Sequence, residues 1–224
     1  MTEQVITKGR FITFEGGEGS GKSTQIRHLA RALRSLGLVV HETREPGGSP
    51  MGERIRALLL DPSSRMDAIS QAFLFCAARH DHVVELIAPA LARGEWVLCD
   101  RFADSTRAYQ GAAGELPEDL VRVLENAAVG ATRPDLTFIL DIKPETGLLR
   151  AARRRTNTED ADAFEALDLQ FHRRVRDGFL RVAKSEPERC VVINADQHET
   201  DIAAALYQAC VLKLKLQETV GSSA

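Results

Sequence analysis

Hydrophobic and polar positions along the chain alternate between a strand period and a helix period. Phe11-Ile12-Thr13-Phe14 is a short apolar run that closes on a glycine cluster, the pattern of a buried strand entering a tight turn. Behind it Ile26, Leu29, Ala30, Leu33 and Leu36 recur at helical spacing, and Gly37 stands where a left-handed residue ends a helix. Leu38-Val39-Val40 predicts a second strand. Ser49-Pro50 supplies an N-cap and a first-turn proline for a helix carrying Ile55, Leu58 and Leu59 and ending near Asp61-Pro62. A longer helical region follows from about Asp67 to Arg93, broken or kinked around Pro89. Trp96 to Asp100, Leu136 to Asp141 and Cys190 to Asn194 are the remaining strands. Strands apolar along their whole length, separated by helices, predict an α/β fold: three layers, with a five-stranded parallel sheet between helices. Ligands bind such sheets at the carboxyl ends of the strands. No repeat or linker interrupts the pattern, so residues 1–220 read as one domain and Gly221-Ser222-Ser223-Ala224 as a disordered tail.

Composition narrows this picture only a little. The chain has 224 residues, 44% hydrophobic and 27% charged, with a net charge of -3, which excludes disordered and fibrous classes. No apolar stretch is long enough to cross a bilayer and no secretory leader precedes the first strand, so a cytoplasmic location without membrane or nucleic-acid partners is expected. Cys76, Cys99, Cys190 and Cys210 lie too far apart for a zinc or redox motif and read as reduced and structural. Of the 29 basic residues only six are lysines, so arginine, whose planar fork matches phosphate oxygens, dominates.

The first strand's glycine cluster changes the picture most. Gly16-Gly17-Glu18-Gly19-Ser20-Gly21-Lys22-Ser23 fits G-x-x-x-x-G-K-S/T between a strand and a helix, with Thr24 following. Glycines let consecutive backbone N–H groups turn inward around phosphates, Lys22 brings a charge to the β- and γ-phosphates, and Ser23 is placed to ligate Mg²⁺. A nucleotide such as ATP is the expected ligand. The chain lacks the Asn/Thr-Lys-x-Asp motif of GTPases and the LSGGQ-type segment of ABC ATPases, which leaves a kinase of a small phosphorylated molecule. Such an enzyme needs a second site with arginines for the acceptor phosphate. Thr43-Arg44 follows the second strand, which puts Arg44 at that strand's carboxyl end on the same rim as the phosphate loop; Asp100-Arg101 ends the third strand, and Phe75 and Arg79 share a helix face.

Together these segments resemble the bacterial thymidylate kinase family. The carriers are Phe14-Glu15-Gly16 through Ser23, Thr43-Arg44-Glu45-Pro46-Gly47-Gly48, Phe75 with Arg79, Asp100-Arg101-Phe102 leading to Ser105 and Ala108-Tyr109-Gln110, and Arg133-Pro134-Asp135-Leu136. The resemblance implies a P-loop kinase fold, phosphorylation of dTMP to dTDP with MgATP, and a homodimer. It implies that Phe75 stacks on thymine, Arg79 donates to its O4, Arg44 and Arg101 hold the acceptor phosphate, and Glu18 faces the sugar. Tyr109 then crowds the 2′ position, with Ser105 nearby, while Thr106 and Gln110 are the polar candidates for the base edge. Asp100 is expected to orient the metal's waters or to fix Arg101, and Glu15 to position Arg101 or the metal.

The phosphate loop holds no arginine. By the resemblance, that charge comes from a lid near residues 150–163, where Arg153, Arg154 and Arg155 are the candidates. The chain departs from the family in one place: Asp162-Ala163-Phe164-Glu165 stands where many relatives have Asp-Arg-Phe-Glu. Two other readings stay open on sequence alone, a kinase of a different nucleoside or nucleotide and a nucleotide-binding regulatory module without catalysis.

Overall fold

In the computed structural model, which describes residues 8–154 and 163–216, the first strand β1 (Phe11–Glu15) is buried at all five positions. Its central place explains this. The sheet order is β2-β3-β1-β4-β5 with all pairs parallel, where β2 is Val40–Arg44, β3 Trp96–Asp100, β4 Leu136–Asp141 and β5 Cys190–Asn194. The chain fills one side of β1 and then the other, so the strand order reverses at β1 and opens a crevice beyond its carboxyl end. Register aligns that rim, because Asp100 pairs with both Phe14 and Arg44. Glu15, Arg44 and Asp100 therefore end three adjacent strands side by side.

Helices cover both faces. On one, Ile12, Phe14, Leu98, Leu136 and Phe138 pack under Ile26, Leu29 and Leu33 of α1 (Lys22–Ser35) and under Ile202, Leu206 and Cys210 of α9 (Glu199–Leu214). On the other, Phe11, Val97 and Cys99 meet Cys76, Val83 and Ile87, while Ile139 meets Tyr109, Val175 and Phe179. Alternate residues of β1 thus serve opposite layers, as a strand buried on both sides requires. All four cysteines are free and buried in these layers. No helix among the described residues is long and apolar enough to cross a membrane.

Two expectations about elements are corrected. The second strand is not Leu38 to Val40 but Val40–Arg44. The end of α1 accounts for the delay: the Gly37 N–H donates to Arg34 O (2.9 Å) and the Leu38 N–H to Leu33 O (3.3 Å), so the helix cap consumes the Leu38 amide and Val39 stays 58% exposed. As an edge strand β2 alternates buried and open positions instead of being apolar throughout. Leu36 and Leu58, expected on buried stripes, are exposed. The Asp67 to Arg93 region is helical with an irregularity at Pro89, as expected: α3 (Ala68–His82), a π-helical turn at Val83–Ile87 and α4 (Ala88–Ala92). The wide turn, with the Ala88 N–H donating to Val83 O, falls just before Pro89, which has no N–H to continue the helical ladder. Ser49 caps α2 (Pro50–Leu60) and Asp67 caps α3, each by accepting a backbone N–H.

Candidate active site

The loop from Gly16 to Gly21 joins β1 to α1. Lys22 opens the helix and turns its Nζ back to donate to Gly16 O (3.2 Å), Gly17 O (3.1 Å) and Ser20 Oγ (3.4 Å), so its charge spans the mouth of the loop. Burial, and then the neighbouring Arg101 cation, lower the Lys22 pKa against the pull of surrounding carboxylates. Ser23 Oγ donates to Asp100 Oδ2 at 2.6 Å. The loop leans on α7 (Pro144–Arg154): Gly19 has φ +65°, and a Cβ there would meet Gly147 O at 2.0 Å.

Arg101, directly after β3, holds the rim together. Its backbone is left-handed, φ 69°, a conformation that a non-glycine residue keeps only when its surroundings fix it. One terminal nitrogen donates to Gly16 O (3.0 Å) and Ser105 Oγ (3.2 Å), the other to Glu18 Oε1 (2.6 Å) and the Tyr109 hydroxyl (3.0 Å). Tyr109 in turn donates to Glu18 Oε1 at 2.8 Å. Burial alone would push the Glu18 pKa up, but Arg101, Lys22 and the Tyr109 hydroxyl together hold it at about 2, so Glu18 is a fixed anion inside the phosphate loop. Behind it Glu15 accepts from the Phe102 N–H (2.7 Å) and from Ser105 Oγ (2.6 Å). Burial first, then the Asp104 carboxylate, push Glu15 up to about 8. It anchors the segment that follows Arg101.

The other half of the site is a slot between two helical segments. Gln71, Phe75 and Arg79 lie one turn apart on α3. Facing them, Thr106 ends α5 (Ala103–Thr106) and Gln110 lies in a second π-helical turn, Arg107–Ala113. Arg79 Nη1 donates to Thr106 Oγ1 (3.1 Å) and Gln110 Nε2 to Gln71 Oε1 (3.0 Å), two rungs set one turn to either side of Phe75 along α3. Arg79 is only 1% exposed, and its charge is met by Glu45, whose Oε2 accepts from Nε at 2.7 Å. Nη2 donates to Phe102 O (3.0 Å), which leaves two of the five guanidinium N–H groups for a ligand. Glu45 Oε1 also meets His82 Nδ1 (3.1 Å), and His82 Nε2 meets Thr43 Oγ1 (2.8 Å).

One cavity of about 280 Å³ collects these groups. It is lined by every residue expected to bind the acceptor, Glu18, Arg44, Phe75, Arg79, Arg101, Ser105, Thr106, Tyr109 and Gln110, and by Gly19 through Ser23 and Asp100. Gly16, Gly17 and Thr24 lie outside its lining, although two of them offer carbonyls to Lys22. Arg153 sits exposed near the end of α7 and does not line the cavity. The Arg154 side chain, Arg155 and most of the expected lid fall outside the described residues. So does the expected tail, 221–224.

Besides Gln71, sequence reasoning passed over four contributors. Glu45 and His82 were invisible as partners, although a buried Arg79 demands a counter-charge and Glu45 stands in a quoted motif. Arg56, whose Nη1 donates to Pro46 O at 2.9 Å, and Phe164, 5.8 Å from the Phe75 ring and 5.9 Å from Tyr109, also line the cavity. Beside Phe164, the Ala163 N–H reaches Leu60 O at 3.4 Å.

A phosphate loop at the reversal point of a parallel sheet, facing an arginine-lined cavity across one rim, defines a P-loop nucleotide kinase. A model of the family described as thymidylate kinase matches residues 14–206. A thymidylate kinase of Rhodopseudomonas palustris is 54% identical over 209 residues, covering 92% of this chain and 90% of that protein. One of Caulobacter vibrioides is 51% identical over 212 residues, covering 94% and 100%. The crystal structure of thymidylate kinase from Ehrlichia chaffeensis superposes with a TM-score of 0.74 at 34% identity, covering 90% of this chain and 98% of that one. The chain belongs to the thymidylate kinase family.

Proposed function

We propose that this chain transfers the γ-phosphoryl group of ATP to dTMP, giving dTDP and ADP. The observation that supports this best is the single cavity in which the phosphate loop opens onto a flat aromatic slot edged by Arg79 and Gln110. Residues Gly16 through Thr24 are read as the ATP triphosphate site, with backbone N–H groups and the start of α1 facing the phosphates. Ser23 Oγ and the Asp100 carboxylate, 2.6 Å apart, are hard oxygen donors of the kind Mg²⁺ shares with phosphate oxygens. Bound there, Mg²⁺ would neutralise phosphate charge.

Phe75 offers a face for the thymine ring, and such stacking is worth about 1–3 kcal/mol per base. Arg79 donors suit the carbonyl at O4, whereas the cytosine amino group there would leave a buried donor unpaired. Arg44 and Arg101 are read as the acceptor-phosphate site, with Tyr109 and Glu18 against the sugar. In-line transfer asks the protein mainly for position and charge. Lys22 and Arg101 supply charge at the rim, and Arg153, Arg154 and Arg155 remain the proposed source of the rest. Their triple alanine variant is expected to slow turnover by roughly 10³ to 10⁵ while ATP binding changes modestly.

We read residues 1–220 as one catalytic domain of a cytoplasmic homodimer without nucleic-acid partners. Phe73, Val84 and Val123, about half exposed or more on α3, its π turn and α6 (Glu118–Val129), support a second copy there. ADP release measured with dTMP, dUMP, dCMP, AMP and thymidine tests the reaction. Turnover that depends on dTMP, with dUMP weaker and dCMP rejected, is expected; binding without turnover, or preference for another acceptor, would refute it.

A further inference from the structure

We propose that Gln71 is a specificity-positioning residue: held by the Met66 carbonyl, it fixes the Gln110 side-chain amide so that an acceptor, Oε1, faces the base slot. The chain of reasoning starts at a group with no choice. Met66 O can only accept, and it takes a hydrogen bond from Gln71 Nε2 at 3.2 Å. Gln71 Oε1 therefore points the other way and accepts from Gln110 Nε2 at 3.0 Å. With one Nε2 hydrogen on Gln71, Gln110 keeps its second N–H and Oε1; the oxygen, which accepts from no group among the described residues, is the atom assigned here to the cavity Gln110 lines. Gln110 is 2% exposed, so an unmatched partner at this atom would be costly.

The two rungs of the slot then present a donor from Arg79 and an acceptor from Gln110. A thymine or uracil edge, with its O4 carbonyl beside an N3–H, complements that order; cytosine, with an amino group beside a bare N3, opposes it at both atoms. Gln71 touches no part of the nucleotide in this arrangement. It acts by preventing Gln110 from turning over to suit the wrong base. This inference rests on the dTMP reading above.

The test compares kcat/KM for dTMP, dCMP and dUMP in wild type, Gln71→Leu, Gln71→Glu and Gln71→Lys. Leucine frees the Gln110 amide, and the preference for dTMP over dCMP is expected to fall roughly tenfold or more. Glutamate still accepts from Nε2 and keeps most of the preference. Lysine donates to Gln110 Oε1, turns the amide over and lowers the preference further than leucine does. The dTMP to dUMP ratio, which depends on the methyl group and not on the edge, stays constant throughout. An unchanged dCMP ratio in the leucine and lysine variants, or a dUMP ratio that moves with it, overturns the inference. A wild-type enzyme with no preference for dTMP over dCMP overturns instead the functional reading on which it rests.

Discussion

Replacing Glu45 by alanine should be among the most damaging single changes in the protein outside the hydrophobic layers. The carboxylate is 3% and the Arg79 guanidinium 1% exposed, with Nε and Oε2 2.7 Å apart. Removing it leaves a cation among neutral partners only, Thr106 Oγ1 and Phe102 O, and strips His82 of its acceptor. Breaking a buried pair from one side costs about 3–5 kcal/mol, because the orphaned charge keeps its full desolvation penalty. In a chain of this size each kcal/mol moves the melting temperature by about 2–4 °C, so Glu45→Ala should melt about 6–20 °C early. The assay is thermal unfolding of four proteins: wild type, Glu45→Ala, Arg79→Met and the double variant. If the charge left behind is the cause, the double variant recovers much of the loss. The dTMP KM should rise in Glu45→Ala far more than the ATP KM, since Arg79 loses its anchor while the phosphate loop does not. A melting temperature within 2 °C of wild type, or a double variant whose loss equals the sum of the single losses, would refute the argument.

Glu15, pushed up to about 8 from a usual value of 4.5, keeps its proton in the fold where the unfolded chain gives it up. Its contribution is therefore complete below about pH 4.5 and lost as pH rises through 8, so urea unfolding between pH 5 and 8 should show wild type weakening relative to Glu15→Gln; parallel profiles would contradict this. Lys22→Met should keep the melting temperature but cut kcat roughly 10²- to 10³-fold, as expected when a charge aimed at the transferring group is removed. Gly19→Ala forces a Cβ to within 2.0 Å of Gly147 O at φ +65°, and should destabilise the fold by about 1 kcal/mol or more and raise the ATP KM. Normal ATP kinetics in that variant would show that the loop tolerates the shift.

The strands were the most legible part of the chain, because β1, β3 and β4 are buried on both sides and their apolar runs cannot be solvent-facing segments. β2 was misplaced since an edge strand has no such constraint: Glu42 and Arg44 point outward and His41 and Thr43 are half-buried, so the segment carries no apolar run. Most of the site was legible as well, for a related reason. Glycines, a lysine and rim arginines in fixed spacing state their chemistry one residue at a time. What stayed hidden were pairings across the fold: Glu45 and His82 beneath Arg79, and Gln71 behind Gln110. Each is an ordinary polar residue on a helix or loop, and only the packing of α3 against the segments after β2 and β3 gives it a task. Phe164 was hidden in the same way, since its place against Phe75 and Tyr109 depends on how the chain returns from α7.

Two of the pocket arginines, Arg79 and Arg101, differ in what they have left to give. Arg79 keeps two N–H groups beyond its bonds to Glu45, Thr106 and Phe102, so a base edge can be added without breaking anything. Arg101 has both terminal nitrogens doubly engaged, by Gly16 O and Ser105 on one and Glu18 and Tyr109 on the other. A phosphate can reach its terminal nitrogens only by exchange, and among these partners Glu18 is the one another anion replaces without net loss of charge pairing. With Arg101 holding the acceptor's phosphate, as proposed above, that phosphate and the Glu18 carboxylate would compete for one guanidinium, and a dianion has the stronger claim. Freed from Arg101, Glu18 still accepts from Tyr109 at the sugar end of the cavity. Under the proposed assignment, base recognition is rigid and prebuilt while phosphate recognition is an exchange. That division suits an enzyme that must reject the wrong base before it commits charge to the transfer.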